Sequence, residues 1–305
     1  MNSGVTGYLH PGYVESLAEF GRPCELPRSR GWILKRPITG ISAYDGMGCY
    51  PLFVCEDWSQ LDADLDQVEG LISLSLVTDP FGNFDRENLQ RCFPDLLTPF
   101  KQHFVTDLSR APEAFVDPHH RRNARKAFGK LTVEECVNSP DVLDDWIDLY
   151  RTLIERHGIT GIAAFSRESF AKQLAVPGIV AFRAVHENAV VGMLLWYEQG
   201  NRAYYHLGAY SARGYELGAS FALFDYSIKY FAQRQFGWLN LGSGAGVGKD
   251  KESGLSRFKQ GWSTGMRTAY FCGRIFDREK YEEMLKTRLL SRAKYFPAYR
   301  VGEFG

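Results

Sequence analysis

The sequence has no excess of either charge: 36 Lys and Arg stand against 36 Asp and Glu in 305 residues. That balance argues against a chain whose main task is wrapping nucleic acid, although a local basic patch is compatible with it. Cysteine is sparse, six in all at positions 24, 49, 55, 92, 136 and 272, and no two have C-x-x-C spacing. Reduced core thiols are expected, with no zinc or other metal centre. The first residues, MNSGVTGYLHPGYVESLAEFG, lack a basic stretch followed by an apolar one, so no signal peptide is expected. No apolar run reaches the ~18 residues of a membrane span. These absences imply a soluble, cytoplasmic protein, with peripheral membrane contact left open. Low-complexity segments and sequence repeats are missing too.

Nucleotide and hydrolase signatures are also incomplete. The loop Gly242-Ser243-Gly244-Ala245-Gly246-Val247-Gly248-Lys249 is not a Walker A loop, because Ser243 stands where the first glycine belongs and Asp250 follows the lysine. No register of it gives G-x-G-x-x-G, and no G-x-S-x-G elbow surrounds Ser243. Nucleoside-triphosphate chemistry and serine-nucleophile chemistry therefore find no support.

Apolar and aromatic residues are plentiful. The chain is 45% hydrophobic, with 21 Phe and 16 Tyr, enough for sizeable cores in about two domains. Periodicity predicts a helix over 141–157, with Leu143, Trp146, Ile147, Tyr150 and Ile154 on one face and Gly158 ending it. Ser166 is expected to cap the next helix. Three strands, VAFRAV, AVVGMLLWY and AYYHLGAY, follow with turns between them. The first half gives weaker signals: a strand GWILKRPI, a glycine-rich turn over 45–48, a strand over 52–55, a helix over 59–69 and a strand LISLSLVTD. Pro118 opens a helix, HHRRNARKAFGK, that carries the only dense basic cluster, including Arg121 and Arg125. Such a helix can hold a phosphorylated substrate or an RNA backbone, or simply face solvent.

The densest signals lie in residues 203–262. A strand ends in turn residues at Ser211 to Gly214, and a helix starts near Gly218 with Phe221, Phe224, Ile228 and Phe231 at helical spacing. Trp238-Leu239-Asn240-Leu241 reads as a short buried strand. First-turn N–H groups at Leu217, Gly218, Ala219 and Ser220 would lack intrahelical acceptors and form an anion site.

Leu241-Gly242-Ser243 followed by Gly254-Leu255-Ser256-Arg257-Phe258-Lys259-Gln260-Gly261-Trp262 resembles the FemAB-like branch of the GNAT acyltransferase superfamily. Those proteins carry an LGG-type turn after a strand and then G-L-x-x-F-K-x-G-[FW]. Arg121 to Ala127 also resembles the family's R-x-x-x-[RK]-[KR]-A run. The sequence departs from the pattern at Ser243, and in a donor loop with Tyr215 in place of Gln or Arg and Ser220 in place of Gly or Ala. The resemblance implies a mixed α+β fold of tandem GNAT-like domains, each with a mostly antiparallel sheet flanked by helices. The expected division is 1–140, on the acceptor side, and 141–305, with the donor loop and the F-K motif.

Acyl transfer to an amine requires a held donor, a neutral amine and a stabilised oxyanion. The resemblance implies Lys259 at the transfer centre, with acyl-CoA (acetyl-CoA) as donor on Leu217, Gly218, Ala219 and Ser220. His206 is a candidate proton acceptor. Arg257, Phe258, Tyr205, Arg121 and Arg125 are candidates for binding the substrate. Arg257 and Lys259, two apart on a helix, should diverge. The expected activity is N-acyl transfer to an amine of a small molecule or a sugar or cell-envelope precursor. A rival within the class is aminoacyl transfer from charged tRNA to a cell-wall precursor. The rival of another class is a non-catalytic acyltransferase-like protein that binds a ligand or partner.

Overall fold

The computed structural model describes residues 4–244, 254–287 and 295–302. In chain order the first part runs α1 (Pro11–Ser16), β1 (Arg22–Leu26), β2 (Gly31–Pro37), β3 (Tyr44–Gly48), α2 (Leu61–Leu65), β4 (Leu71–Val77), α3 (Arg86–Cys92) and β5 (Leu96–Asp107). Next come α4 (Pro112–Phe115), α5 (Pro118–Phe128), β6 (Thr132–Cys136), α6 (Leu143–His157) and α7 (Arg167–Leu174). The meander β7 (Ile179–His186), β8 (Ala189–Gln199) and β9 (Arg202–Tyr210) follows. The remainder is α8 (Ala212–Leu217), α9 (Ala219–Gln233), β10 (Trp238–Gly242), α10 (Gly254–Gln260), β11 (Gly265–Ile275) and α11 (Arg278–Thr287). The architecture is mixed α/β, mostly antiparallel sheet flanked by helices.

Two compact units emerge, and they are not consecutive in the chain. The first holds Gln102–Ile159 and Ser166–Arg267; the second holds Tyr8–Lys101, Thr160–Phe165 and the residues from Thr268 on. In the first unit the strands lie in the order β5-β10-β9-β8-β7-β6, all antiparallel neighbours except the parallel pair β9 and β10. The second has β1-β2-β3-β4-β11, again with one parallel pair, β3 and β4. Apart from the additional edge strand β6, the same order of pairings thus occurs twice, although the sequence shows no repeat.

Each unit takes one strand from the other half of the chain. β5 follows β4 in sequence but pairs with β10, Leu239 opposite Thr106; β11 follows β10 but pairs with β4, Cys272 opposite Leu76. The division expected at residue 140 is therefore displaced. Helix α5 also falls on the other side of it, because Ala124 and Ala127 belong to the same core cluster as Ala222, Leu223 and Phe224 of α9.

Local sequence accounts for most elements. α9 buries Ala219, Ala222, Leu223, Phe224, Ile228 and Phe231 along one stripe. α6 ends at Gly158 in the left-handed conformation, and Ser166 caps α7 by accepting from the Ser169 N–H. The expected glycine-rich turn at 45–48 is strand β3 instead, and at residue 53 only an isolated bridge, Phe53 to Thr78, takes the place of a strand. A Cβ at Gly48 would lie 2.5 Å from Leu76 Cβ, so the glycines serve close strand approach rather than a turn. The last strand, β11, runs from Gly265 to Ile275 and belongs with β4.

Candidate active site

The first unit contains a local opening in its sheet. Parallel pairing of β9 with β10 runs from Arg202/Trp238 to Tyr204/Asn240, whereas β9 continues to Tyr210. Two irregularities accompany the divergence. The register of β9 against β8 shifts between Leu195/Leu207 and Trp196/Tyr205, and that of β10 against β5 shifts between Asn240 and Gly242. Past this point β9 and β10 are no longer paired, and an irregularity in each accompanies the change.

Lys259 reaches this opening from α10. It is buried, 5% exposed, and its Nζ donates to the Ser243 carbonyl oxygen at 2.7 Å. The same ammonium lies 5.2 Å from the centroid of the Tyr205 ring on β9. The two parts of the family-like pattern, Leu241-Gly242-Ser243 and the F-K element, thus meet in space. Gly242 adopts φ +76°, and a Cβ there would stand 3.0 Å from Lys259 Nζ. The turn is pinned by Asn240, whose Oδ1 accepts from the Gly242 N–H at 2.9 Å and from His103 Nδ1 at 3.0 Å. Burial, with Tyr215 adding to it, raises the Tyr205 hydroxyl above its ordinary range and keeps it neutral. The rest of the loop, residues 245–249, where the triphosphate signatures were weighed, lies outside the described residues.

The expected donor cradle is rearranged. Ser211 to Gly214 is not a turn but the start of α8, because the Ser211 side chain accepts from the Gly214 N–H and nucleates a helix. Gly218, left-handed at φ 74°, closes α8 and opens α9. Leu217 is therefore the last residue of α8, and the Gly218 N–H is spent on Tyr215 O at 3.2 Å. Only Ala219 and Ser220 remain as first-turn residues of α9, since the Phe221 N–H already bonds Gly218 O. Ala219 is fully buried and Ser220 partly so.

His206 is not placed as a proton acceptor. Its Nε2 is hydrogen-bonded to Gln173 Oε1 at 2.9 Å and its ring packs on Tyr197. Burial pushes its pKa down to about 3. The imidazole is thus neutral and occupied within the core.

Among the remaining candidates, Arg257 and Lys259 diverge as expected: Arg257 is exposed while Lys259 is buried. Arg121 and Arg257 line one groove of about 740 Å³, with α4 and the start of α5 on one side and the end of α10 on the other. Arg121 Nη1 donates to Glu113 O at 3.3 Å, and Arg257 has no partner among the described residues. Arg125 is outside this groove, on the exposed face of α5 with Arg122 and Lys126. Among the described residues no carboxylate pairs with these α5 cations, whereas Arg30, Arg183, Arg234 and Arg274 are all ion-paired. Phe258 is packing rather than binding surface: its ring contacts Phe221, Phe224 and Trp262 with centroids 5.0 to 6.1 Å away.

His103, Asn240 and His120 were not singled out from sequence. Each contributes through a contact far away in the chain, which no local period announces. Among the described residues no cluster of ligating side chains could hold a metal ion, and no helix is long and apolar enough to cross a membrane.

Residues 118–260 match the family model described as acetyltransferase (GNAT) domain. Among solved structures, the chain is similar to that of FemX, with TM-score 0.67 and 15% identity over 92% of this chain and 95% of that one. It is also similar to the C-terminal domain of a putative lysylphosphatidylglycerol synthetase from Agrobacterium fabrum, TM-score 0.59 and 15% identity over 93% of each chain. A third likeness is to L-PGS from Bacillus licheniformis, TM-score 0.58 and 15% identity over 96% and 100% of the two chains. A search of curated proteins finds no match. Residues 118–260 therefore hold a GNAT acetyltransferase domain, in a chain whose fold, with the strand opening and the Lys259 turn, is similar to that of FemX.

Proposed function

We propose that the protein transfers an acyl group from acyl-CoA to an amine of a small molecule or a sugar or cell-envelope precursor. The observation that carries this reading is the Lys259 ammonium, fixed between Ser243 O and the Tyr205 ring where β9 and β10 separate. In such a transfer the amine nitrogen bonds to the thioester carbon, the C–S bond breaks, and the amine's surplus proton leaves with the thiolate. Negative charge develops on the carbonyl oxygen, and a preorganised cation in a water-poor setting stabilises it. Ala219 and Ser220 at the start of α9 offer the donor pyrophosphate a helix N-terminus. Arg121 and Arg257 would hold an anionic group of the substrate in their groove. The proposed setting is cytoplasmic.

A second reading, aminoacyl transfer from charged tRNA, is favoured by the cluster of cations Arg121, Arg122, Arg125 and Lys126 on α5, which no carboxylate pairs among the described residues. Calorimetry separates the two. Micromolar binding of CoA and acetyl-CoA, weakened by Ser220→Trp, supports the thioester donor. Failure to bind either, with salt-dependent binding of charged tRNA, would replace it by the second reading.

A further inference from the structure

α10 ends in a way that leaves one carbonyl without a helical partner. The Trp262 N–H, which a continuing α-helix would direct to Phe258 O, goes instead to Lys259 O at 3.1 Å. Phe258 O is then an orphan of the helix C-terminus, of the kind that a side chain or water must satisfy. His120 supplies the donor: its Nε2 is 3.0 Å from Phe258 O. Because a carbonyl only accepts, Nε2 carries the proton.

The imidazole also fills a space made for it. A Cβ on Gly261 would lie 2.4 Å from His120 Cε1 and 2.5 Å from Nε2, so any larger residue at 261 would collide with the ring. Phe221, Phe258 and Trp262 surround it, with ring centroids 5.0 to 5.5 Å away. On the α5 side Asp117 Oδ1 is 3.7 Å from Nδ1, too far to bond, and among the described residues Nδ1 has no hydrogen-bond partner. Among the described residues the hydrogen bond of the His120 ring thus goes to α10, at the residue next to Lys259.

We infer that His120 is a positioning residue for acyl transfer: by capping Phe258 O it fixes the end of α10 and holds Lys259 Nζ at Ser243 O. This inference rests on the reading of Lys259 as the cation of the reacting centre. His120 itself touches no reacting atom.

The test is pulse labelling with an N-hydroxysuccinimide ester, each lysine being quantified by mass spectrometry. His120→Phe keeps the ring and removes the donor; His120→Gln keeps a donor. Lys259 should label at least tenfold faster in His120→Phe and less than threefold faster in His120→Gln. The half-buried thiol of Cys136 in the same unit, probed in parallel with iodoacetamide, should react at the wild-type rate in both. Unchanged Lys259 labelling in His120→Phe would overturn the inference, as would a parallel rise at Cys136, which marks general loosening. Should His120→Phe fail to fold, His120→Gln decides alone, and protection lost there despite its donor counts against the inference. The two claims separate by a further variant: full transfer activity in Lys259→Met would sink the proposed function without altering the labelling result.

Discussion

Lys259 Nζ donates a 2.7 Å hydrogen bond to the carbonyl of Ser243, tying the helix of the F-K element to the end of β10. The bond places a cation in an almost closed setting, supported by a carbonyl and an aromatic face. Replacing it by a neutral side chain of similar reach should therefore affect chemistry more than folding. Lys259→Met is expected to lower kcat by about 10²–10³, the usual loss for one oxyanion-stabilising donor. Lys259→Arg should not restore it, since a planar fork does not fit a point-charge site. Steady-state kinetics with an amine acceptor, read beside the thermal midpoint, checks both.

Gly242 is the complement of that lysine. Its φ of +76° disfavours any side chain, and a Cβ would press on Lys259 Nζ at 3.0 Å. Gly242→Ala should cost about 1–2 kcal/mol from the backbone conformation alone. Denaturant melts give the cost, and Lys259→Met should relieve the part that comes from crowding. Equal costs in both backgrounds would show that the contact is irrelevant.

His206 makes acid stability a readout of the core. Its folded pKa, about 3, lies below the ordinary value of 6.5. The unfolded chain therefore binds the extra proton first, and the contribution is complete above pH 6.5. It is lost as pH falls from there towards 3, by about 1.4 kcal/mol per pH unit. His206→Leu should flatten the stability-against-pH curve in that window, measured by urea melts from pH 4 to 7.

The cations of the groove should influence binding rather than turnover. Arg257→Gln, at an exposed side chain without a partner among the described residues, is expected to leave the melting temperature within a degree or two. If an anionic group of the substrate sits there, KM should rise about tenfold with kcat little changed. Combined with Arg121→Gln the effect should grow and should shrink in high salt.

The sequence was informative where structure follows local rules. Helical spacing located α6 and α9, serine caps located the start of α7, and alternating runs between turns located β7, β8 and β9. It was misleading where tertiary contacts override those rules. β1 contains Pro23, which weakens any strand signal, yet proline is tolerated on an edge strand, and β1 is one. β6, with an exposed residue at Thr132 and again at Glu135, is a second edge strand that lacked a strong apolar signal. Ser211, read as a turn residue, is a helix cap. Lys259 and the turn at Gly242 stood out only through resemblance to a family. The residues that hold them, His103, Asn240 and His120, act across separations such as 137 and 138 positions, which no windowed pattern detects.

The crossing of β5 and β11 between sheets bears on how the chain can be divided. A fragment ending at residue 140 would keep β5 and α5 but lose β10 and α9, their partners, and would leave β4 without β11. The complementary fragment would expose the edge of β10, an unsatisfied row of backbone donors and acceptors that invites aggregation. Expressed separately, the two pieces should be insoluble; expressed together, they should reconstitute one another. Each half of the chain supplies a strand that completes the sheet of the other.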